Sequence, residues 1–175
     1  MYKIMLVDDE ENIISSLKRS LNKCKEWEIE TSTSGADALH RAQTSPFDLF
    51  ISDFRMPKMN GVEFLSEVKK LQPNAVRIIL SGYTDLEALM GAINEAEIFR
   101  FVNKPWNENE LKLTIQQALK YKDMMTENLY LANQVREQSE QLTRKEKILA
   151  KLEKESPGIT KVDWSEDGAI VIKED

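Results

Sequence analysis

The stretch Asp48-Leu49-Phe50-Ile51-Ser52-Asp53 runs through apolar residues and ends on a carboxylate, and Arg55-Met56-Pro57 and Gly61 follow it with the chemistry of a loop. Three other fragments have the same form: Asp8-Asp9 after Ile4-Met5-Leu6-Val7, Ser81 after Ile78-Ile79-Leu80, and Lys104 after Phe101-Val102. An acid pair, a lone acid, a hydroxyl and a lysine thus each close a short apolar run. If those runs are parallel strands, all four groups lie on one edge of a single sheet, the edge at which open α/β sheets carry their sites.

Around these fragments, apolar runs of strand length alternate with longer amphipathic stretches, the pattern of repeated βαβ units. It predicts strands near residues 2–7, 28–32, 48–52, 76–80 and 99–103, with helices between them. Ser34 with Asp37, Asn60 with Glu63, Thr84 with Glu87 and Asn107 with Glu110 have the three-residue spacing of a capping box or its variant, and mark helix starts. The expected fold class is α/β: a five-stranded, doubly wound parallel sheet.

A chain of 175 residues holds one good core and an extension. From Asn107 the pattern stays helical to about Glu155, without a proline or glycine. Val135, Leu142 and Leu149 recur every seven residues, with Leu131 and Leu152 at the complementary positions, as in a coiled coil. Asn128, Gln138 and Lys145 interrupt that seam with polar groups. Beyond Ser156-Pro157-Gly158, residues 159–173 read as a β-hairpin about an Asp167-Gly168 turn. The domains expected are therefore 1–122, a helical extension over 107–155, and a short tail over 156–175.

A net charge of −6 and a pI near 5.1 argue against direct nucleic-acid binding, which needs a basic face. Cys24 is the single cysteine, so neither an intrachain disulfide nor a cysteine-cluster metal site is available. No apolar run reaches membrane-spanning length, and the N-terminus enters a strand directly, so the expected location is cytoplasmic. His40 falls on a surface helix and is read as solvated, while Trp27, Trp106 and Trp164 are read as packing anchors.

The four strand-end groups make a chemically complete set. Crowded carboxylates at Asp8, Asp9 and Asp53 repel one another, and an oxygen-rich, partly open site of this kind suits Mg²⁺. A carboxylate is a competent nucleophile toward phosphoryl groups, and Asp53, alone on its strand, is the candidate. Lys104 supplies a positive charge to one phosphoryl oxygen and Ser81 a hydroxyl donor to another.

The ordered set Asp8-Asp9, Asp53 with Met56-Pro57 and Gly61, Ser81-Gly82 and Lys104-Pro105 resembles the receiver domain of bacterial two-component response regulators, over roughly residues 1–122. The resemblance implies a flavodoxin-like strand order and phosphorylation of Asp53 by a sensor histidine kinase. It implies Mg²⁺ held directly by Asp9 and Asp53, by Asp8 through water, and by the backbone carbonyl of Arg55. Ser81 matches the family's switching hydroxyl, Phe101 its switching aromatic, and Lys104 its invariant lysine with a cis bond to Pro105. Arg55 and Tyr83 match positions that tune phosphate lifetime. Phe101 departs from the tyrosine often found there, so no ring hydroxyl is available to it.

The function expected is a phosphoacceptor switch without enzymatic output. It would remodel the face formed by the fourth helix, fifth strand and fifth helix, and so change homodimerisation through the helical extension or docking of a downstream protein. An alternative is the regulatory part of a larger regulator with an enzymatic or DNA-binding output domain. A third reading, an Asp-nucleophile phosphohydrolase of the haloacid-dehalogenase type, needs an acid two residues after the nucleophile, where this chain has Arg55.

Overall fold

The computed structural model describes residues 1–82 and 96–158. Its strands are β1 (Tyr2–Val7), β2 (Trp27–Ser32), β3 (Leu49–Asp53), β4 (Val76–Ser81) and β5 (Arg100–Asn103). They form one parallel sheet in the order β2-β1-β3-β4-β5, the flavodoxin-like arrangement, with β3 at its centre. Three helices, α1 (Glu11–Leu21), α2 (Gly35–Thr44) and α3 (Gly61–Leu71), and a long C-terminal helix (Glu108–Glu155) complete the described structure. The chain divides into two compact units, Met1–Glu127 and Asn128–Asp175.

The central strands are apolar on both faces because both are covered. Met5, Val7, Phe50 and Ile79 face one layer, packed with Ala38 and Ala42 of α2 and Phe64, Leu65 and Val68 of α3. The alternate residues Ile4, Leu6, Leu49, Ile51, Ile78 and Leu80 face the other, packed with Leu17 and Leu21 of α1 and Leu111, Ile115, Ala118 and Leu119 of the C-terminal helix. Period-two alternation therefore sorts the strand residues between two cores rather than between core and water. The edge strands differ: β2 carries Glu28 and Glu30, and β5 is partly exposed along its length.

The helix starts follow from capping chemistry. Asn60 accepts hydrogen bonds from the backbone N–H groups of Val62 and Glu63, and Glu63 accepts one from the Asn60 N–H, a complete capping box. Ser34 accepts from the Asp37 N–H, and Asn107 from those of Asn109 and Glu110. The cap expected at Thr84 with Glu87, the intervening helix and the terminal hairpin with Trp164 lie outside the described residues.

Two polar residues hold the end of the sheet opposite the strand-end acids. Arg77, buried within β4, donates to the carbonyls of Ala75, Ala96, Pro73 and Glu97, which satisfies a guanidinium that burial would otherwise penalise. Asp48 accepts from the Lys3 N–H at 2.6 Å and pairs with Lys122, while Tyr2 donates to Asp123 at 2.5 Å. The C-terminal helix is thereby fastened to β1 and the start of β3.

Within Asn128–Asp175, the described helix has another character. Each residue from Asn128 to Leu152 is exposed, including Leu131, Val135, Leu142 and Leu149.

Candidate functional site: a carboxylate and lysine cluster at the strand ends

Parallel strands end together, so the register carries Val7, Ser52 and Ser32 to one level and Asp53 to the level of Leu80. The residue after β1 is Asp8, the last of β3 is Asp53, the last of β4 is Ser81, and the residue after β5 is Lys104. The sheet thus brings together four groups that sequence distance separates.

Their geometry is a shared ion pair. Lys104 Nζ lies 2.6 Å from Asp8 Oδ2 and 2.5 Å from Asp53 Oδ1. The second oxygen of each acid is held by backbone: the Glu10 N–H donates to Asp8 Oδ1 and the Arg55 N–H to Asp53 Oδ2, both at 2.9 Å. Asp8 is fully buried and Asp53 is 6% exposed. Both carboxylates are consequently oriented before any ligand arrives, the preorganisation that charge-transfer chemistry requires.

Two carboxylates share one ammonium, so the cluster keeps an uncompensated negative charge. Burial raises the Asp53 carboxyl above the ordinary aspartate value; Lys104 opposes that rise, and neighbouring Asp8 adds to it. Burial pushes the Lys104 ammonium down, but hydrogen bonds and charges from Asp53 and Asp8 outweigh it, and the lysine ends above its ordinary value. The two directions agree physically, because the lysine gains from both acids while each acid has only half of a lysine.

Ser81 is fully buried, and its hydroxyl has no hydrogen-bond partner among the described residues. An unsatisfied buried hydroxyl at a strand end is a donor in waiting. Beside it, in paired register, stands Asn103, whose side-chain oxygen is likewise buried and unpartnered. Sequence reasoning passed over Asn103, since nothing in its neighbours marks it; only the Ser81–Asn103 register does so.

Gly61 fixes the loop. Its N–H donates to the Phe54 carbonyl at 2.9 Å, and a β-carbon at this position would collide with the Asp53 carbonyl oxygen. The glycine noted eight residues after Asp53 is therefore there because backbone meets backbone.

Asp9 is exposed and joins neither ion pair. Among the described residues, no three His, Cys, Asp or Glu side chains gather closely enough to cage a metal. The donor chemistry still fits a hard cation, since two carboxylate oxygens already converge within 2.6 Å of one cationic nitrogen. The Lys104–Pro105 bond is cis. Phe101, paired with Ile79, is 36% exposed. Tyr83 lies outside the described residues. His40 is exposed, Trp27 is buried, and Trp106 and Cys24 pack against the α1 side of the core. An open cleft of about 520 Å³ borders the cluster, lined by Ile13, Ser16, Lys104, Pro105 and Trp106.

Fold and strand-end cluster together define a flavodoxin-like receiver architecture. Residues 4–116 match the family model described as the response regulator receiver domain, and the chain belongs to that family. Receiver domains are phosphoacceptor switches that take a phosphoryl group from histidine kinases and use Mg²⁺ in doing so.

The chain is 38% identical over 116 residues to the hydrogenase transcriptional regulatory protein HoxA of Cupriavidus necator, a match covering 66% of this chain and 24% of that protein. It is 30% identical over 129 residues to the regulatory protein AtoC of Escherichia coli, covering 74% and 28%. The chain thus spans about a quarter of the length of these relatives. Among solved structures, it is similar to a response regulator receiver domain protein of Clostridium thermocellum, with TM-score 0.65, 31% identity and coverage of 71% and 99%. A chain described as an adenylate cyclase from Rhodopirellula baltica is similar too, with TM-score 0.71, 36% identity and coverage of 75% and 97%. No described helix is long and apolar enough to cross a membrane.

Proposed function

We propose that this chain is a cytoplasmic response regulator whose Asp53 accepts a phosphoryl group from a sensor histidine kinase and whose helical extension, residues 107–155, reports the event. The observation that carries the reading is the convergence of Asp8 Oδ2 and Asp53 Oδ1 on Lys104 Nζ, beside the unpartnered hydroxyl of Ser81. In the transfer, the P–N bond of the kinase phosphohistidine breaks and its electron pair returns to the imidazole, while an Asp53 oxygen forms the new P–O bond. Lys104 then neutralises one phosphoryl oxygen, and the Ser81 hydroxyl donates to another.

Mg²⁺ would be held by Asp9 and Asp53 directly, by Asp8 through water, and by the Arg55 carbonyl. When bound, it neutralises charge on the phosphoryl oxygens. Phosphorylated Asp53 no longer carries its carboxylate charge toward Lys104, so the shared ion pair is redistributed. Ser81 is drawn to the phosphoryl group and Phe101 moves into the space that it leaves. The face that includes β5 and the C-terminal helix changes with them. Arg55 and Tyr83 set how long the phosphoryl group survives, and no chemistry beyond self-phosphorylation and autodephosphorylation is expected.

The receiver unit extends to residue 122, and the output is homodimerisation through the extension or docking of a downstream protein. The test is incubation of the chain with Mg²⁺ and a small acyl phosphate, followed by intact-mass measurement. One phosphoryl group should appear per chain and be absent from Asp53→Asn. Continuous turnover of a phosphomonoester would instead place the chain among Asp-nucleophile phosphohydrolases.

A second reading is favoured by the relatives' lengths: the chain is the regulatory part of a longer regulator. Reading the encoding gene beyond codon 175 decides it.

A further inference from the structure

We infer that the exposed seam of residues 128–152 takes a second copy of this chain in parallel, in-register pairing, with Asn128 and Lys145 fixing that register. The inference rests on the homodimer proposed above and deepens it by specifying orientation.

The seam has a seven-residue period. Asn128, Val135, Leu142 and Leu149 form one row, and Leu131, Gln138, Lys145 and Leu152 form the other. All are exposed, and large apolar side chains such as Val135 and Leu142 stand at 66% and 60%. Nothing within the chain covers these rows among the described residues. Two intrachain ion pairs of this segment, Arg136 with Glu140 and Lys151 with Glu155, lie off the seam. Lys145 and Glu146 have no described ion-pair partner, although both kinds of charge abound nearby.

Orientation follows from which residues would meet. In a parallel, in-register pair, Leu131, Val135, Leu142, Leu149 and Leu152 each meet their own copy, giving wholly apolar layers. Asn128 meets the partner's Asn128, and Gln138 meets the partner's Gln138, so each buried amide finds an amide. Lys145 meets the partner's Lys145, but each ammonium reaches the partner's Glu146, which flanks the same hole in the facing helix. Each polar seam residue is then satisfied.

An antiparallel pair overlapping the same span fails this test. It would set Asn128 against the partner's Leu152, Val135 against the partner's Lys145, and Gln138 against the partner's Leu142. Only Leu131 with the partner's Leu149 would remain wholly apolar. Three kinds of polar group would lie against hydrocarbon without a partner, a cost that grows with each group. A single polar residue in a seam is known to select register at some expense of stability, and three residues that match only themselves select it more strongly.

Single cysteines read the orientation in the full chain, with Cys24 alone as the control. Leu131→Cys and Leu149→Cys should each form disulfide-linked dimers under mild oxidation. An equimolar mixture should give no excess of mixed links. In the antiparallel arrangement two Leu131 positions would stand roughly 27 Å apart along the helix axis, and only mixed Leu131→Cys with Leu149→Cys links would form. Mixed links alone, or a dimer by light scattering that links at neither position, overturn the register. A chain monomeric by light scattering, with and without beryllofluoride and Mg²⁺, overturns the homodimer itself. Lys145→Glu, which sets acid against the partner's Glu146, should weaken dimerisation at least tenfold. The double variant Lys145→Glu/Glu146→Lys should restore it, and failure of that rescue with the helix intact by circular dichroism removes the Lys145 role.

Discussion

The C-terminal helix contains two regions built on different periods. Between Glu108 and Glu127, Leu111, Ile115, Ala118 and Leu119 are buried, following the four-and-three spacing of one face of an α-helix on a sheet. Between Asn128 and Leu152, no residue is buried, and the apolar positions Val135, Leu142 and Leu149 repeat strictly at seven. The first spacing suits a partner within the chain, a twisted sheet that the helix crosses. The second suits a partner of its own kind, because a strict seven-residue repeat stays aligned only with a helix that supercoils around it. The same secondary structure thus serves folding in one region and, in the homodimer proposed above, assembly in the other.

The comparison breaks first at Ile115. Ile115→Ala should cost the receiver about 2–5 kcal/mol, because the side chain is fully buried among strand residues of the core. Leu142→Ala should leave the unfolding of the receiver unchanged and act on dimer mass alone. Denaturant titration followed by a signal from the receiver, with light scattering on the same samples, checks both. An equal loss of receiver stability in the two variants would show that the regions are not distinct in kind.

Gly61→Ala tests whether the site loop is as tightly set as the helix contact. A β-carbon there meets the Asp53 carbonyl oxygen, which cannot move without moving the backbone of Asp53 itself. The expected loss is about 1–3 kcal/mol, accompanied by slower phosphorylation. A stability loss with an unchanged phosphorylation rate would separate the loop from the site. Asn60→Ala, next door, removes two hydrogen bonds to the first turn of α3 and should cost about 1 kcal/mol by thermal melting.

Most of this contrast was legible in the sequence. The strands were readable because both faces are covered, so β3 and β4 are apolar at nearly each position, and their polar ends stood out as acid and hydroxyl. The caps at Ser34, Asn60 and Asn107 were readable because their chemistry is local. The start of α1 carried no such mark: Glu10 makes no side-chain cap bond, and Asp8 takes the Glu10 N–H instead. Arg77 carries no local mark of its role, because its partners Ala96 and Glu97 lie about twenty residues further along the chain. Asp48 with Lys122, and Ser81 beside Asn103, are likewise products of topology. The site's chemical types were visible; which acid shares Lys104 was not, and the structure answers Asp8 rather than Asp9.

The smallest expected effect carries its own sign. Burial and Asp8 together hold the Asp53 carboxyl above its ordinary value despite Lys104, so the folded chain binds that proton more tightly than the unfolded chain does. The contribution of Asp53 to stability is therefore fully present below the ordinary aspartate value and is lost as pH rises through the raised one. At neutral pH the ionised side chain opposes folding, and Asp53→Asn, which keeps the shape and removes the charge, should be the more stable protein. As pH falls below the ordinary aspartate range, the advantage should shrink toward zero, because both side chains are then neutral. Melting of the two chains across that range checks the sign. A wild type that is more stable than Asp53→Asn at neutral pH would mean that Lys104 overcomes burial at Asp53, and that the receiver holds this carboxylate at a gain rather than at a cost.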